Sequence, residues 1–279
     1  MRILLTGRNG QVGWELQGAL APLGEVTALG RAELDLRDAG RIRDAVRTAK
    51  PDVVVNAAAY TAVDKAEAER DLAFAVNAVA PGILAEEAKR AGALLVHYST
   101  DYVFDGTKGS PYTEADPTCP INVYGESKLA GEKAIQGSDC RFLILRTSWV
   151  YGPRGSNFML TMLRLARERP ELRVVDDQIG APTSSLAIAR ATAQLLRPGA
   201  GGLYHLSAAG EVTWCGFARA ILARAGIATP VRAIRTEDYP TPARRPRNSR
   251  LDCSRLRKDF DVALAPWEDQ LSEVTLGAP

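Results

Sequence analysis

Tyr124 and Lys128 stand four residues apart in the run Tyr124-Gly-Glu-Ser-Lys128. On a helix this spacing puts a phenol and an ammonium on one face, about one turn apart. A tyrosine with its ordinary pKa of ~10 is a poor acid–base group at neutral pH. A neighbouring ammonium favours the phenolate, and proton exchange with a carbonyl oxygen then comes within range. Tyr-x-x-x-Lys recurs by chance, so its context has to carry the weight. His97-Tyr98-Ser99-Thr100-Asp101 closes an apolar strand-like run. At the carboxyl edge of a sheet, the Thr100 hydroxyl could orient a substrate carbonyl towards Tyr124.

Thr6-Gly7-Arg8-Asn9-Gly10-Gln11-Val12-Gly13 follows the first apolar run and opens the first helix-like stretch. Glycines allow a tight turn and close backbone approach, and a helix N-terminus offers free N–H groups to a pyrophosphate. A glycine-rich turn also serves plain structure; its place in a first βα unit favours a cofactor loop. The next strand ends at Gly30-Arg31, where many dinucleotide sites carry an acid for the ribose hydroxyls. A guanidinium there pairs with a 2′-phosphate, so NADPH is the expected cofactor. Glu33 and Asp35 lie close by and leave NADH open, and Arg31 could equally be a solvated surface residue.

The elements that must hold these groups alternate. Strands are predicted at Arg2–Thr6, Glu25–Leu29, Asp52–Asn56, Ala93–Ser99 and Phe142–Arg146. Helices are predicted at Gln11–Leu20, Ala39–Lys50, about Arg70 to Ala91, and Val123–Ile135. Nearly all-apolar strands fit a parallel sheet covered by helices on both faces. The fold class read from this is α/β, a doubly wound parallel sheet. Beyond Val150 the pattern loosens. Helices are expected at Phe158–Glu168, Leu186–Leu196 and Trp214–Ala225, with strands at Leu172–Val175, Leu203–Leu206 and Val231–Ile234.

Composition narrows the class. The chain has 279 residues, enough for a full core without a metal or disulfide staple, and a net charge of +2. That charge gives no reason to expect nucleic acid or an anionic membrane as partner. No apolar run has the length of a membrane span, and the N-terminus does not read as a signal peptide. The four cysteines are scattered, and two histidines make a zinc site improbable. A cytoplasmic globular protein is expected, with no metal.

The glycine loop, the strand-end hydroxyl and the Tyr-x-x-x-Lys helix, in this order, resemble the extended short-chain dehydrogenases/reductases. More narrowly, the chain is similar over essentially its whole length to the dTDP-4-dehydrorhamnose reductase family. The segments that carry this are Gly10-Gln-Val-Gly-Trp-Glu-Leu16, Asn56-Ala-Ala-Ala-Tyr-Thr-Ala-Val-Asp64 and Ser99-Thr-Asp-Tyr-Val-Phe-Asp-Gly106. Asn122-Val-Tyr-Gly125, Leu129-Ala-Gly-Glu132, Arg146-Thr-Ser-Trp-Val-Tyr151, Asp177-Gln-Ile-Gly-Ala-Pro-Thr183 and Tyr239-Pro-Thr-Pro-Ala243 add to it.

The resemblance implies a Rossmann domain over residues 1–150. Residues 151–279 would form mainly a smaller, interleaved α/β domain for the nucleotide-sugar, with segments returning to the sheet. It implies NAD(P)H-dependent reduction of the C4 ketone of dTDP-4-dehydro-L-rhamnose, the last step of dTDP-L-rhamnose synthesis. Tyr124 would donate the proton; Lys128 would lower its pKa and bond the nicotinamide ribose; Thr100 would stand where the superfamily has serine. Gly7, Gly10, Gln11, Val12 and Gly13 would meet the pyrophosphate, Asp35 and Leu36 the adenine, and Ala59, Tyr60, Thr61 and Tyr98 the rest of the cofactor. Asp101 and Trp149 would contact the sugar, although Trp149 also suits ordinary packing. Asn77 reads as a structural amide holding backbone.

Two rivals share the scaffold: an NAD-retaining nucleotide-sugar epimerase or dehydratase, and a non-catalytic regulatory subunit like the β subunit of methionine adenosyltransferase. Some relatives are described as dimers joined through magnesium on acidic side chains. Glu15 and Glu273 are plausible counterparts, but Leu186 stands where an acid is expected. That argues against a structural magnesium and leaves a homodimer open. The basic run Arg244-Arg245-Pro246-Arg247…Arg250 is either a diphosphate contact or a solvated face.

Overall fold

A computed structural model describes residues 1–275. Five strands occupy the first half: β1 (Arg2–Thr6), β2 (Glu25–Leu29), β3 (Val53–Asn56), β4 (Leu94–Thr100) and β5 (Arg141–Thr147). A sixth strand, Gly202–His205, joins them in one sheet, ordered Gly202–His205, β5, β4, β3, β1, β2. Every pairing in this sheet is parallel. All strands therefore end on the same edge.

Alternation of side chains explains why the strands read as unbroken apolar runs. Ile3, Leu5, Val55, Val96 and Leu145 face one way, under Leu16 and Leu20 of α1 (Gln11–Leu20) and Ile188 and Leu195 of the Ser185–Leu195 helix. Leu4, Val54, Leu95 and Ile144 face the other way, under Ile42 and Val46 of α2 (Ala39–Ala49), Leu84, and Ile135 of the Val123–Gln136 helix. Both faces are covered by helices, so most of the side chains on each are apolar.

The chain leaves β1 for β2 on one side and returns with β3 on the other. The crevice where helices diverge thus opens between the ends of β1 and β3, the usual ligand position in such sheets.

The helix expected from Arg70 to Ala91 carries a π-helical turn at Ala75–Val79. Pro81 has no N–H to give the Asn77 carbonyl four residues back, which favours the wider turn. The same carbonyl presses on Gly131 of the neighbouring helix, where any Cβ would collide with it.

A second core gathers Met159 and Leu163 of the Phe158–Glu168 helix, Phe217 and Ile221 of the Trp214–Arg224 helix, and Trp267. Leu172–Val175 and Val231–Ile234, as expected, pair in parallel beside it. Among the described residues, no helix is long and apolar enough to cross a membrane.

Candidate active site

The glycine turn sits where β1 runs into α1. Gly7 adopts φ +75°, and a Cβ there would stand 2.7 Å from the Ala58 nitrogen. A Cβ on Gly13 would collide with the Gly7 carbonyl. Gly10 caps α1 without a side-chain hydrogen bond, so the first-turn N–H groups of Gln11, Val12 and Gly13 stay available to an anion. This narrow, donor-rich cradle fits a dinucleotide pyrophosphate. The Val12 side chain itself packs against the core, and the Gln11 Oε1 accepts a 2.9 Å bond from Asn157.

At the end of β2, Arg31 is exposed and has no salt bridge among the described residues. The neighbouring arginine, Arg8, pairs with Glu33 at 2.5 Å and also donates to the Ala28 carbonyl. Glu33 in turn accepts the Gly30 N–H at 2.9 Å. Asp35 is gripped by Arg37, whose hydrogen bonds pull its pKa down to about 2. Leu36 does not face a ligand with its side chain: it is buried among Leu34, Ile42 and Val46.

Small residues, Ala57-Ala58-Ala59, follow β3, which ends at Asn56 as predicted. Ala59 and Thr61 are exposed. Between them, Tyr60 is clamped through its backbone by Asn77, whose Oδ1 accepts its N–H at 2.8 Å and whose Nδ2 donates to its carbonyl at 2.9 Å. Asn77 thus holds a loop backbone, with Ser127 as third partner at 3.0 Å.

Thr100, Tyr124 and Asp101 meet at the end of β4. Asn122 caps the Val123–Gln136 helix by accepting the Gly125 N–H at 2.8 Å. A Cβ on Gly125 would strike the Tyr102 carbonyl, so only glycine lets the helix come this close to the exit of β4. This brings the Tyr124 phenol beside the Thr100 hydroxyl. Burial pushes that phenol up to about 12, the Asp101 charge adds to the rise, and the Thr100 hydroxyl opposes it. Asp101 is 3 % exposed, and its Oδ2 is without a hydrogen-bond partner. Burial lifts Asp101 to about 7, opposed by the nearby Ser249 and by Thr100, whose hydroxyl donates to Oδ1 at 3.2 Å.

Lys128 departs from expectation. Its Nζ donates to the Tyr98 carbonyl at 2.6 Å and lies 3.2 Å from His97 Nε2, and it does not bond the Tyr124 phenol. An ammonium in a dry site takes the nearest acceptors, and these belong to β4. Burial pulls Lys128 down to about 8, while Glu132 on its own helix favours the charged form. The Tyr98 ring packs in the core on the opposite face, with its hydroxyl 2.7 Å from Thr192, while its carbonyl accepts from Lys128.

Trp149 stands beyond β5 with φ +48°, a costly conformation for a bulky residue. Its ring lies parallel to that of Trp214, centroids 3.5 Å apart, and Gly180 leaves the space it fills. This is a built aromatic platform more than a packing accident.

The basic run divides. Arg245 binds Asp64 at 2.7 Å, and Arg250 binds Glu211 and Asn248. Arg244 and Arg247 are the exposed pair, so the full stretch does not form one phosphate-facing patch. Glu273 pairs with Arg190 at 2.8 Å. Among the described residues, no cluster of His, Cys, Asp or Glu is arranged to hold a metal.

Sequence reading missed His97, Asn56, Arg8 and Trp214. A signal existed for two of them: Asn56 and His97 are polar residues in otherwise apolar strands.

A doubly wound sheet with a glycine cradle at its crossover, and a tyrosine helix leaning on the end of β4, is the frame of the short-chain dehydrogenases/reductases. Comparison narrows the class. Residues 1–276 match the family described as RmlD substrate binding domain, and the chain belongs to that family. It is 51% identical over 284 residues to the dTDP-4-dehydrorhamnose reductase of Burkholderia thailandensis, covering 96% of this chain and 95% of the relative. For the Escherichia coli K12 enzyme of that name the identity is 48% over 283 residues, at the same coverage. A crystal structure of dTDP-4-dehydrorhamnose reductase from Bacillus anthracis in complex with NADP superposes with a TM-score of 0.95, at 37% identity and 98% coverage of both chains.

Proposed function

We propose that this chain reduces the C4 ketone of dTDP-4-dehydro-L-rhamnose to dTDP-L-rhamnose with NADPH, closing dTDP-L-rhamnose synthesis. The observation that carries this is that Tyr124, on a helix start that only Gly125 lets so close to β4, comes beside Thr100 and Asp101 at that strand's end, in a sheet whose first turn is the glycine cradle. It occurs in a chain about half identical to reductases of that name. The first half of the chain, about residues 1–150, holds the dinucleotide, and the later half mainly holds the nucleotide-sugar.

When bound, the dinucleotide supplies the hydride that reaches C4. The chain supplies the proton and the geometry. Thr100 fixes the Tyr124 hydroxyl and the ketone oxygen together. Tyr124 gives its proton to that oxygen, which suits a phenol held in its neutral form by burial. Lys128 holds a positive charge beneath the site and stabilises the phenolate that remains until solvent restores its proton. Asp101 and the Trp149 platform orient the sugar, and Arg31 reads the 2′-phosphate.

NADPH oxidation, followed by near-ultraviolet absorbance with freshly generated dTDP-4-dehydro-L-rhamnose, tests the reading. Rapid substrate-dependent oxidation yielding dTDP-L-rhamnose is expected. Absence of oxidation with NADPH bound overturns it and turns attention to other keto-sugars. Tightly retained NAD would instead point to an epimerase-like cycle.

A further inference from the structure

Thr6, Asn56 and His97 stand abreast across the sheet: Thr6 registers with Asn56, and Asn56 with His97. In-register pairing sends the three side chains to one face, where each is only 1% exposed. The Thr6 hydroxyl lies 2.7 Å from Asn56 Oδ1, and the Asn56 amide reaches His97 Nδ1 at 3.1 Å. The row ends on Lys128, whose Nζ is 3.2 Å from His97 Nε2. Apolar side chains would fill this interior at less cost, because buried hydrogen bonds largely offset their own desolvation. The fold alone gives no reason for the row.

We infer that His97 is a positioning residue for the reduction: through Nε2 it holds the Lys128 amine and sets how firmly that amine keeps its proton. The inference rests on Lys128 acting in the reaction proposed above.

Two hydrogen arrangements satisfy the row. If the Asn56 amide donates to Nδ1, the ring carries its proton on Nε2 and meets an uncharged amine. If the amide is turned over, Thr6 accepts from it, Nδ1–H donates to it, and Nε2 accepts from an ammonium. A neutral ring serves both, and burial together with the Lys128 charge holds His97 well below its ordinary pKa. Either charge state of Lys128 therefore finds a matched neighbour.

The other groups around this amine are few. Its own helix contributes Tyr124 and Glu132; β4 contributes the Tyr98 carbonyl and, just beyond it, Asp101. From β5 comes Arg146, which is engaged in two hydrogen bonds to Glu132. The π-helical turn presents neutral Asn77 to Ser127, and Arg70 and Glu67 bind Glu126 and the Val123 N–H. Burial disfavours the ammonium and Glu132 favours it, so an acceptor at Nε2 can tip the balance.

Two substitutions separate holding from mere filling. In His97→Asn the short amide can replace Nδ1 towards Asn56 but cannot reach Lys128; in His97→Gln the longer one can. The pH profile of kcat/KM and the 15N NMR titration of Lys128 Nζ, assigned with Lys128→Met, are recorded for each. In His97→Asn the alkaline limb and the Lys128 titration should fall together by about one pH unit. In His97→Gln both should stay at the wild-type position. An unmoved titration in His97→Asn, or equal movement in both variants, overturns the inference. If His97→Asn does not fold, the titration of His97→Gln decides: wild-type behaviour supports the inference and a lower value overturns it. If the wild type proves inactive on the sugar while the Lys128 titration moves only in His97→Asn, the substrate reading fails and the hold on the amine stands.

Discussion

Thr100 and Tyr124 stand beside each other where the end of β4 meets the first turn of the following helix. No bond links Tyr124 to Lys128, one turn further along, which is tied to β4 instead. Both side chains thus come to the same strand, Tyr124 beside Thr100 and Lys128 on the Tyr98 carbonyl, and not to each other.

Removing the phenol tests this placement. Tyr124→Phe should lower kcat by ~10²–10⁴ while NADPH still binds. Thr100→Val, which leaves the phenol but removes the hydroxyl beside it, should cost less. Steady-state kinetics with parallel NADPH-binding titrations check both, and near-normal turnover in Tyr124→Phe would remove it as proton donor.

Asp101 ties stability to pH. Its folded-state pKa of about 7 lies above the ordinary 3.8, so between these values the folded chain keeps a proton that the unfolded chain has lost. Its contribution to stability is full below about pH 4 and is lost as pH rises through about 7. Asp101→Asn should therefore melt higher than wild type at pH 8, by an amount worth roughly 2–4 kcal/mol, and the advantage should vanish near pH 4. Thermal melts across this range decide it; a pH-independent difference would mean Asp101 is ionised when folded. The same variant should bind the sugar more weakly.

Glu132 and Arg146 form a two-point ion pair at 2.7 and 2.9 Å, with side chains 1% and 4% exposed. Deleting one partner strands the other charge in the core. Glu132→Leu alone should lose about 3–5 kcal/mol of stability, and adding Arg146→Met should recover much of it. Denaturant melts of both variants measure this, and additive losses would contradict a pairwise origin.

The proposed role of Arg31 in cofactor choice is open to kinetic test. Exposed and free of a salt bridge among the described residues, it can turn to a 2′-phosphate at little cost, whereas Arg8 would first have to leave Glu33. Arg31→Ala should raise KM for NADPH much more than for NADH. Equal rises would show that another group, Arg8 foremost, reads the phosphate.

The sheet was readable because burial on both faces leaves a local trace: β3 and β4, every residue of them buried, open in sequence on the apolar runs Val53–Val55 and Leu94–Val96. The Phe158–Glu168 helix and the Leu172–Val175 strand are found where periodicity predicts them. Tyr124, Lys128 and Thr100 were legible because helix spacing and strand ends are local too. The direction of the Lys128 side chain was not, since it depends on a strand 30 residues away. The Arg245–Asp64 bond spans 181 residues, and no local pattern distinguishes it from a solvated charge. The π-helical turn escaped because Pro81, inside the predicted Arg70–Ala91 helix, signals a break or kink in general and does not specify a π turn.

The strand Gly202–His205 lies along β5, hydrogen-bonded to it from Leu143 to Arg146. The Ser185–Leu195 helix covers Leu16 and Leu20 of the phosphate-loop helix. A fragment cut after residue 150 would therefore bare a long unpaired strand edge and a stripe of leucine, both invitations to aggregate. The nucleotide cradle is not a portable cassette in this lineage. It can be inherited, swapped or shortened only together with the later half of the chain that completes its sheet.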